Sequence, residues 1–231
     1  MRAALQYASW AVGIPLELLI IAAFLRGLYR QFPFVFLYTI ALFLSTVVEI
    51  PNAAYLTGIH FSHSRAFYYW LDEGILDVLV YVLVMSLVYR ATAGLQSRTL
   101  VRAGLATGAA VVGAGSFLVH YDPHVVLGMW MTLWSRDLNF ISALADLTLW
   151  MILLTARKKD PRLLLLSGGL GIQFTGEAVG QSLRTLLPWS LSPGDVIITL
   201  ANLASLYIWW QALRTQPVAN RASVEAEGSQ K

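Results

Sequence analysis

Seven runs of about 20 or more mostly apolar residues follow one another along this chain, and the stretches between them are short. They cover 7–28, 34–56, 67–89, 100–119, 125–154, 163–187 and 195–213. Twenty residues in helical geometry reach about 30 Å, the thickness of a bilayer's hydrocarbon core. Backbone amides in that medium have no water to bond, so each run has to be a helix that satisfies its own N–H and C=O groups. The pattern predicts an all-α membrane protein with seven transmembrane helices. Only 13% of the 231 residues are charged, against about 25% in soluble domains, and the mean hydropathy is +0.62. The spans use almost all of residues 1–214 and leave no room there for a soluble catalytic domain. Residues 215–231 are polar and read as a disordered cytoplasmic tail.

Basic residues set the expected orientation. Arg26 and Arg30 follow the first span. Arg90, Arg98 and Arg102 follow the third. Arg157, Lys158, Lys159 and Arg162 follow the fifth, and Arg214 and Arg221 follow the seventh. The opposite side carries Arg2 and Arg65, and no Lys or Arg between spans 4 and 5 or between spans 6 and 7. Cytoplasmic loops hold the excess of Lys and Arg, so the N-terminus is expected outside and the C-terminus inside. The net charge of +3 is absorbed by these loops and gives no reason to expect nucleic-acid binding. The single early Arg before a long apolar run reads as a retained first span rather than a cleaved signal. Trp70, Trp130, Trp134, Trp189, Trp209 and Trp210 lie near span ends, where tryptophan anchors a helix at the membrane interface.

The two halves of the chain look alike. Pro33 and Pro161 each open a span after a basic loop, and the separation of Glu49 from Glu177 equals that of the two prolines. Glu17 and Asp146 are nearly in step. This predicts a 3+1+3 arrangement of parallel repeats, 7–90 and 125–214, joined by the glycine-rich span 100–119. Transporters built from such repeats place their site at the repeat interface.

Polar residues inside the spans are the functional signal. Gln173, Glu177, Gln181 and Arg184 step by four, four and three residues, which puts them on one helix face. Arg136, Asn139, Ala143, Asp146 and Trp150 do the same in span 5, and Asp195, Thr199, Asn202, Ser205 and Trp209 in span 7. Glu17 is mid-span; Glu49, Asn52, Asp72 and Glu73 belong to the outer half, with Asp77 nearer the middle. A charge at the bilayer centre costs about 2.5–3.5 kcal/mol on insertion scales. Side chains this expensive have to converge on one another, on water or on a ligand. The expectation is a carboxylate-rich cavity open to the outside above an apolar inner half. Within the spans nine carboxylates, the ninth being Asp137, face two arginines, Arg136 and Arg184. That imbalance suits proton relay or cation binding, with the arginines as counter-ions or as clamps for an anionic ligand group. Glu177, Asp146, Asp77 and Glu49 are the deepest candidates.

Other chemistry is less well supplied. His60, His63, His120 and His124 all fall on the expected outer side near Asp72, where neutral imidazoles can bind zinc. Loop histidines at a water interface are the plainer explanation. No cysteine is present, which excludes disulfides and thiolate chemistry, and no span contains Lys, which excludes a retinal Schiff base. Phosphate loops, nucleophile elbows and haem-attachment motifs are missing, and no cofactor is expected. Gly104-x-x-x-Gly108 and Gly176-x-x-x-Gly180 let helices approach closely. Pro15 and Pro51 sit beside Glu17 and Glu49 and free a backbone carbonyl nearby.

The stretch Ser135-Arg-Asp-Leu-Asn-Phe through Asp146, with the glycine-rich start of span 6 and Glu177, resembles a set of uncharacterised seven-span proteins of soil bacteria. The resemblance implies a bacterial inner-membrane location and the seven-span count, and no activity. The functional expectation is a multi-pass protein binding a small polar or cationic ligand, or protons, for transport or sensing. The alternatives are a metal-dependent membrane hydrolase using the histidines, and an assembly subunit whose polar face meets a membrane-protein partner.

Overall fold

The computed structural model describes residues 2–55, 63–92, 98–121, 127–156, 160–186 and 193–214. Among them are seven α-helices: α1 (Arg2–Leu25), α2 (Pro33–Tyr55), α3 (His63–Ala91), α4 (Arg98–His120), α5 (Leu127–Thr155), α6 (Pro161–Leu186) and α7 (Pro193–Arg214). All but α4 are long and apolar enough to cross a membrane; in α4 the described apolar run is Ala106–His120. Leu18, Leu44, Leu144, Leu147 and Leu200 face outward, as they do when the surrounding medium is lipid. The chain is a multi-pass helical membrane protein. The tail 215–231 lies outside the described residues.

Local chemistry fixes the helix ends. Proline opens α2, α6 and α7, where its missing N–H costs nothing. Asp160 caps α6: its Oδ1 accepts from the backbone N–H of Arg162 at 3.0 Å and of Leu163 at 3.4 Å. After α1 the chain turns at Gly27, whose φ of 111° is open to glycine and strained for other residues. A short 3-10 helix, Leu28–Arg30, leads into α2. Arg90 at the end of α3 donates to the Gln31 carbonyl and sits 4.2 Å from the Phe32 ring centroid, which ties α3 to this turn.

The buried apolar core lies at one end of the bundle. Ile20 and Phe24 come from the last turns of α1, and Val35 from the first of α2. Leu83 and Leu87 belong to the second half of α3, Leu149 and Leu153 to the end of α5. Leu163, Leu166 and Leu170 open α6, and Leu206 and Leu213 close α7. Six helices therefore share the end where α1 stops and α2 starts.

Helices α6 and α7 form the most extensive pair, and glycine is the reason. A Cβ on Gly176 would lie 2.0 Å from the Ala201 Cβ, and one on Gly180 would lie 2.4 Å from Ile198 and 2.8 Å from the Gly194 carbonyl oxygen. The second small-residue motif thus joins two helices of the same chain. The first behaves differently: a Cβ on Gly104 or Gly108 would meet nothing within 4 Å. Gly169 leaves room for Trp209, which would otherwise clash at 2.4 Å. Trp209 is therefore a correction to the expected interfacial belt. It is 1% exposed and donates from Nε1 to the Leu166 carbonyl at 3.0 Å, so it is core rather than anchor. Trp210 is half-buried, with the Arg214 guanidinium 5.3 Å from its ring centroid. The side chains of Trp70 and Trp189 lie outside the described residues.

Among the described residues helix α4 adds nothing to the core and packs chiefly on α5 and α3. Polar pins hold it. Tyr81 donates to the Ala109 carbonyl at 2.8 Å, and Trp134 to the Gly113 carbonyl at 3.3 Å. Ser116 donates to Asp137 at 2.9 Å, and His120 Nε2 lies 2.9 Å from the same carboxylate oxygen.

A candidate proton and cation site above the core

In three helices a carboxylate stands three residues before a core side chain. Glu17 precedes Ile20, Asp77 precedes Val80 and Asp146 precedes Leu149. In the antiparallel α6 the order reverses, and Gln173 follows Leu170. Three residues are under one helical turn, about 4.5 Å of rise, so these groups form a polar layer against one face of the core.

Tyr38 of α2 is its junction. Gln173 Nε2 donates to the Tyr38 hydroxyl oxygen at 3.1 Å and to Glu177 Oε1 at 3.2 Å. Gln173 thereby links Tyr38 to Glu177, and Glu17 and Asp77 stand in the same layer one turn from the core. Four helices thus bring polar groups to one place. Glu17 is the least satisfied of them. It is 3% exposed and accepts one long hydrogen bond, from Thr46 at 3.4 Å. Thr46 also donates to the Leu42 carbonyl at 2.9 Å, so its proton is shared. The second oxygen of Glu17, Oε2, is buried with no hydrogen-bond partner among the described residues.

Two flanking acids are better held. Asp77 accepts from Ser135, and from Asn139 Nδ2 at 3.0 Å, which joins α3 to α5. Asp146 is 2% exposed and accepts from Ser167 at 2.7 Å, which joins α5 to α6. Gly171 makes room for that carboxylate: a Cβ there would lie 3.4 Å from Asp146 Oδ2.

The remaining expected residues are placed as follows. Glu49 and Asp72 are exposed; Glu49 accepts from Gln6 at 3.1 Å, and Asp72 accepts from Ser45. Gln181 and Arg136 are both exposed. The span 5 stripe divides, because α5 lies between α3 and α6: Asn139 serves one neighbour, Asp146 and Trp150 the other. Asp195 and Asn202 are half-buried on α7. The side chains of Asn52, Glu73, Arg184 and His63 lie outside the described residues, as do His60 and His124 entirely. Among the described residues no three His, Asp or Glu side chains gather in a way that holds a metal ion.

Sequence reasoning missed the hydroxyl partners: Tyr38, Thr46, Ser135 and Ser167. Their signal is present but faint. Hydroxyl residues in apolar spans bond their own helix as readily as a neighbour, and Thr39 and Ser142 here do only that. Compared with protein families, with curated proteins and with solved structures, the chain matches none, so its function is read from this polar layer alone.

Proposed function

We propose that this protein binds protons, or a small cation in their place, in the carboxylate layer around Tyr38, and couples that binding to passage of a small polar or cationic solute across the membrane. The observation that carries the reading is Glu17, a buried acid with one oxygen unpartnered among the described residues, in the layer where Gln173 joins Tyr38 to Glu177. Acids inside a membrane are costly and mark proton relays and ion paths. Gln173 donates from its amide nitrogen to both Tyr38 and Glu177, which fixes the two oxygens as acceptors within one layer. In this reading the N-terminus is outside and the C-terminus inside a bacterial inner membrane. The core end then faces the cytoplasm and closes the path, and spans 7–90 and 125–214 move as repeats around it.

Liposomes loaded with a pH-sensitive dye test the proposal. Under an imposed potassium diffusion potential, the native protein gives a proton flux above that of empty liposomes. Glu17→Gln and Glu177→Gln remove it, whereas Gln181→Ala, an exposed neighbour on α6, does not. Native flux no greater than that of empty liposomes, or full flux in both glutamine variants, overturns the reading.

Stability separates function from architecture at the same residue. A buried polar group left unsatisfied costs about 1–3 kcal/mol. Glu17→Leu therefore raises resistance to unfolding by sodium dodecyl sulfate by roughly that amount while flux disappears. A variant less stable than the native protein would mark Glu17 as a structural lock.

A further inference from the structure

We infer that the ion taken up at Glu17 is a proton and not a metal cation, with Thr46 of α2 as the residue that positions it. This rests on the proposed function and narrows it to one of its two ligands.

The surroundings of Glu17 offer a cation too few oxygens. Hard cations bind by exchanging their water for oxygen ligands; calcium takes about 6–8 of them and magnesium an octahedral set. Among the described residues the side chain within hydrogen-bond distance of Glu17 is Thr46, whose Oγ1 lies 3.4 Å from Oε1. The other oxygen, Oε2, is buried with no partner among them. No further pair of His, Asp or Glu side chains among them joins Glu17 in a group that could hold a metal. The backbone does not make up the number. Pro15 leaves the Ala11 carbonyl without its helical partner, but Ala11 is six residues and about 9 Å of helical rise from Glu17.

The ionisable groups on the elements packed against α1 are placed elsewhere. On α2, Glu49 is exposed and accepts from Gln6, and the Tyr38 hydroxyl accepts from Gln173. On α7, Asp195 stands in the first turn, Tyr207 is exposed and accepts from Gln211, and Arg214 lies over Trp210. Arg30 of the 3-10 helix donates to the Tyr29 hydroxyl.

A proton needs one oxygen, and Thr46 gives it a place. A threonine hydroxyl has one proton to donate and lone pairs to accept with. The Leu42 carbonyl, at 2.9 Å, is in range for that proton, whereas Glu17 at 3.4 Å is beyond the usual reach of a hydroxyl donor. A proton on Glu17 Oε1 reverses the long contact. Glu17 then donates to the Thr46 oxygen, Thr46 donates to Leu42, and each donor in the row has its own acceptor. Without it, one hydroxyl is divided between two acceptors.

Infrared difference spectra of the purified full chain, acid minus alkaline, test this without any transport. The native protein gives a carboxylic C=O component that Glu17→Gln removes. Thr46→Val takes away the acceptor and shifts that component, and Thr46→Ser restores its frequency. Sodium or calcium chloride added at fixed pH leaves it in place. In the liposome assay Thr46→Val lowers proton flux about tenfold, roughly the worth of one hydrogen bond. Thr46→Ser recovers the flux, and exchanging sodium for choline at equal ionic strength does not alter it. The inference is overturned if Glu17→Gln keeps the full band, if Thr46→Val leaves it at the native frequency, if either cation removes it at constant pH, or if flux requires sodium. Native liposomes without flux would instead sink the proposed function, and the infrared band would still report which ion Glu17 holds.

Discussion

Gly176→Leu separates α6 from α7, and the purified variant fails to give the single monodisperse species that the native protein gives. The cause is the smallness of the gap. Carbon atoms rest about 3.5–4.0 Å apart, yet a Cβ on Gly176 would stand 2.0 Å from the Ala201 Cβ. Neither atom can rotate away, since both are fixed to backbone, so the helices themselves have to part. Gly176→Ala shows the same effect in measurable form. It loses about 3 kcal/mol, the upper end of ordinary overpacking, and unfolds at a lower detergent mole fraction. Gly104→Ala and Gly108→Ala carry the same change in the same motif on α4, where nothing lies within 4 Å. They hold or gain stability, by up to about 1 kcal/mol, because alanine is the better helix former. Equal unfolding midpoints for Gly176→Ala and the native protein would remove glycine as the basis of this seam.

Trp209→Ala costs about 3–5 kcal/mol, the range for emptying a large aromatic site in a core. The ring is 1% exposed, its nitrogen bonds the Leu166 carbonyl, and its centroid lies 5.8 Å from that of Tyr38 in an edge-on arrangement. That last contact carries the loss into the polar layer. With the indole gone Tyr38 is no longer held against α7, and proton flux falls along with stability. Trp209→Phe keeps most of the filling and loses the donor, so it costs about 1 kcal/mol and retains flux. A Trp209→Ala variant with native stability would show that the site can collapse around the missing ring.

These two sites also show what the sequence made legible. The seven helices, their order and their boundaries to within a few residues follow from length and hydropathy, although among the described residues only six are long and apolar enough to cross a membrane. The acids Glu17, Asp77, Asp146 and Glu177 were identifiable because charge in such a span is rare. Their hydroxyl partners Thr46, Ser135 and Ser167 were not. Whether Asn139 turns towards α3 or Asp146 towards α6 depends on which helices are neighbours, and the stripe on α5 is the same in either case. Trp209 reads as an interfacial anchor from its place near a span end. It is buried because Gly169, forty residues earlier, leaves a hole of the right shape. The two Gly-x-x-x-Gly motifs are identical as strings and opposite in use, since one finds a facing helix and the other does not.

The placement of the core has a mechanical side. Ile20, Leu83, Leu149, Leu166 and Trp209 act like the rivet of a pair of tongs, fixed near one end of six long arms. A slight pivot there is magnified along each arm. The widest excursion falls at the opposite tips, where Gln6 reaches Glu49 and Ser45 reaches Asp72. Under the proposed function, that motion is what opens and closes the polar layer from the far end while the rivet stays shut.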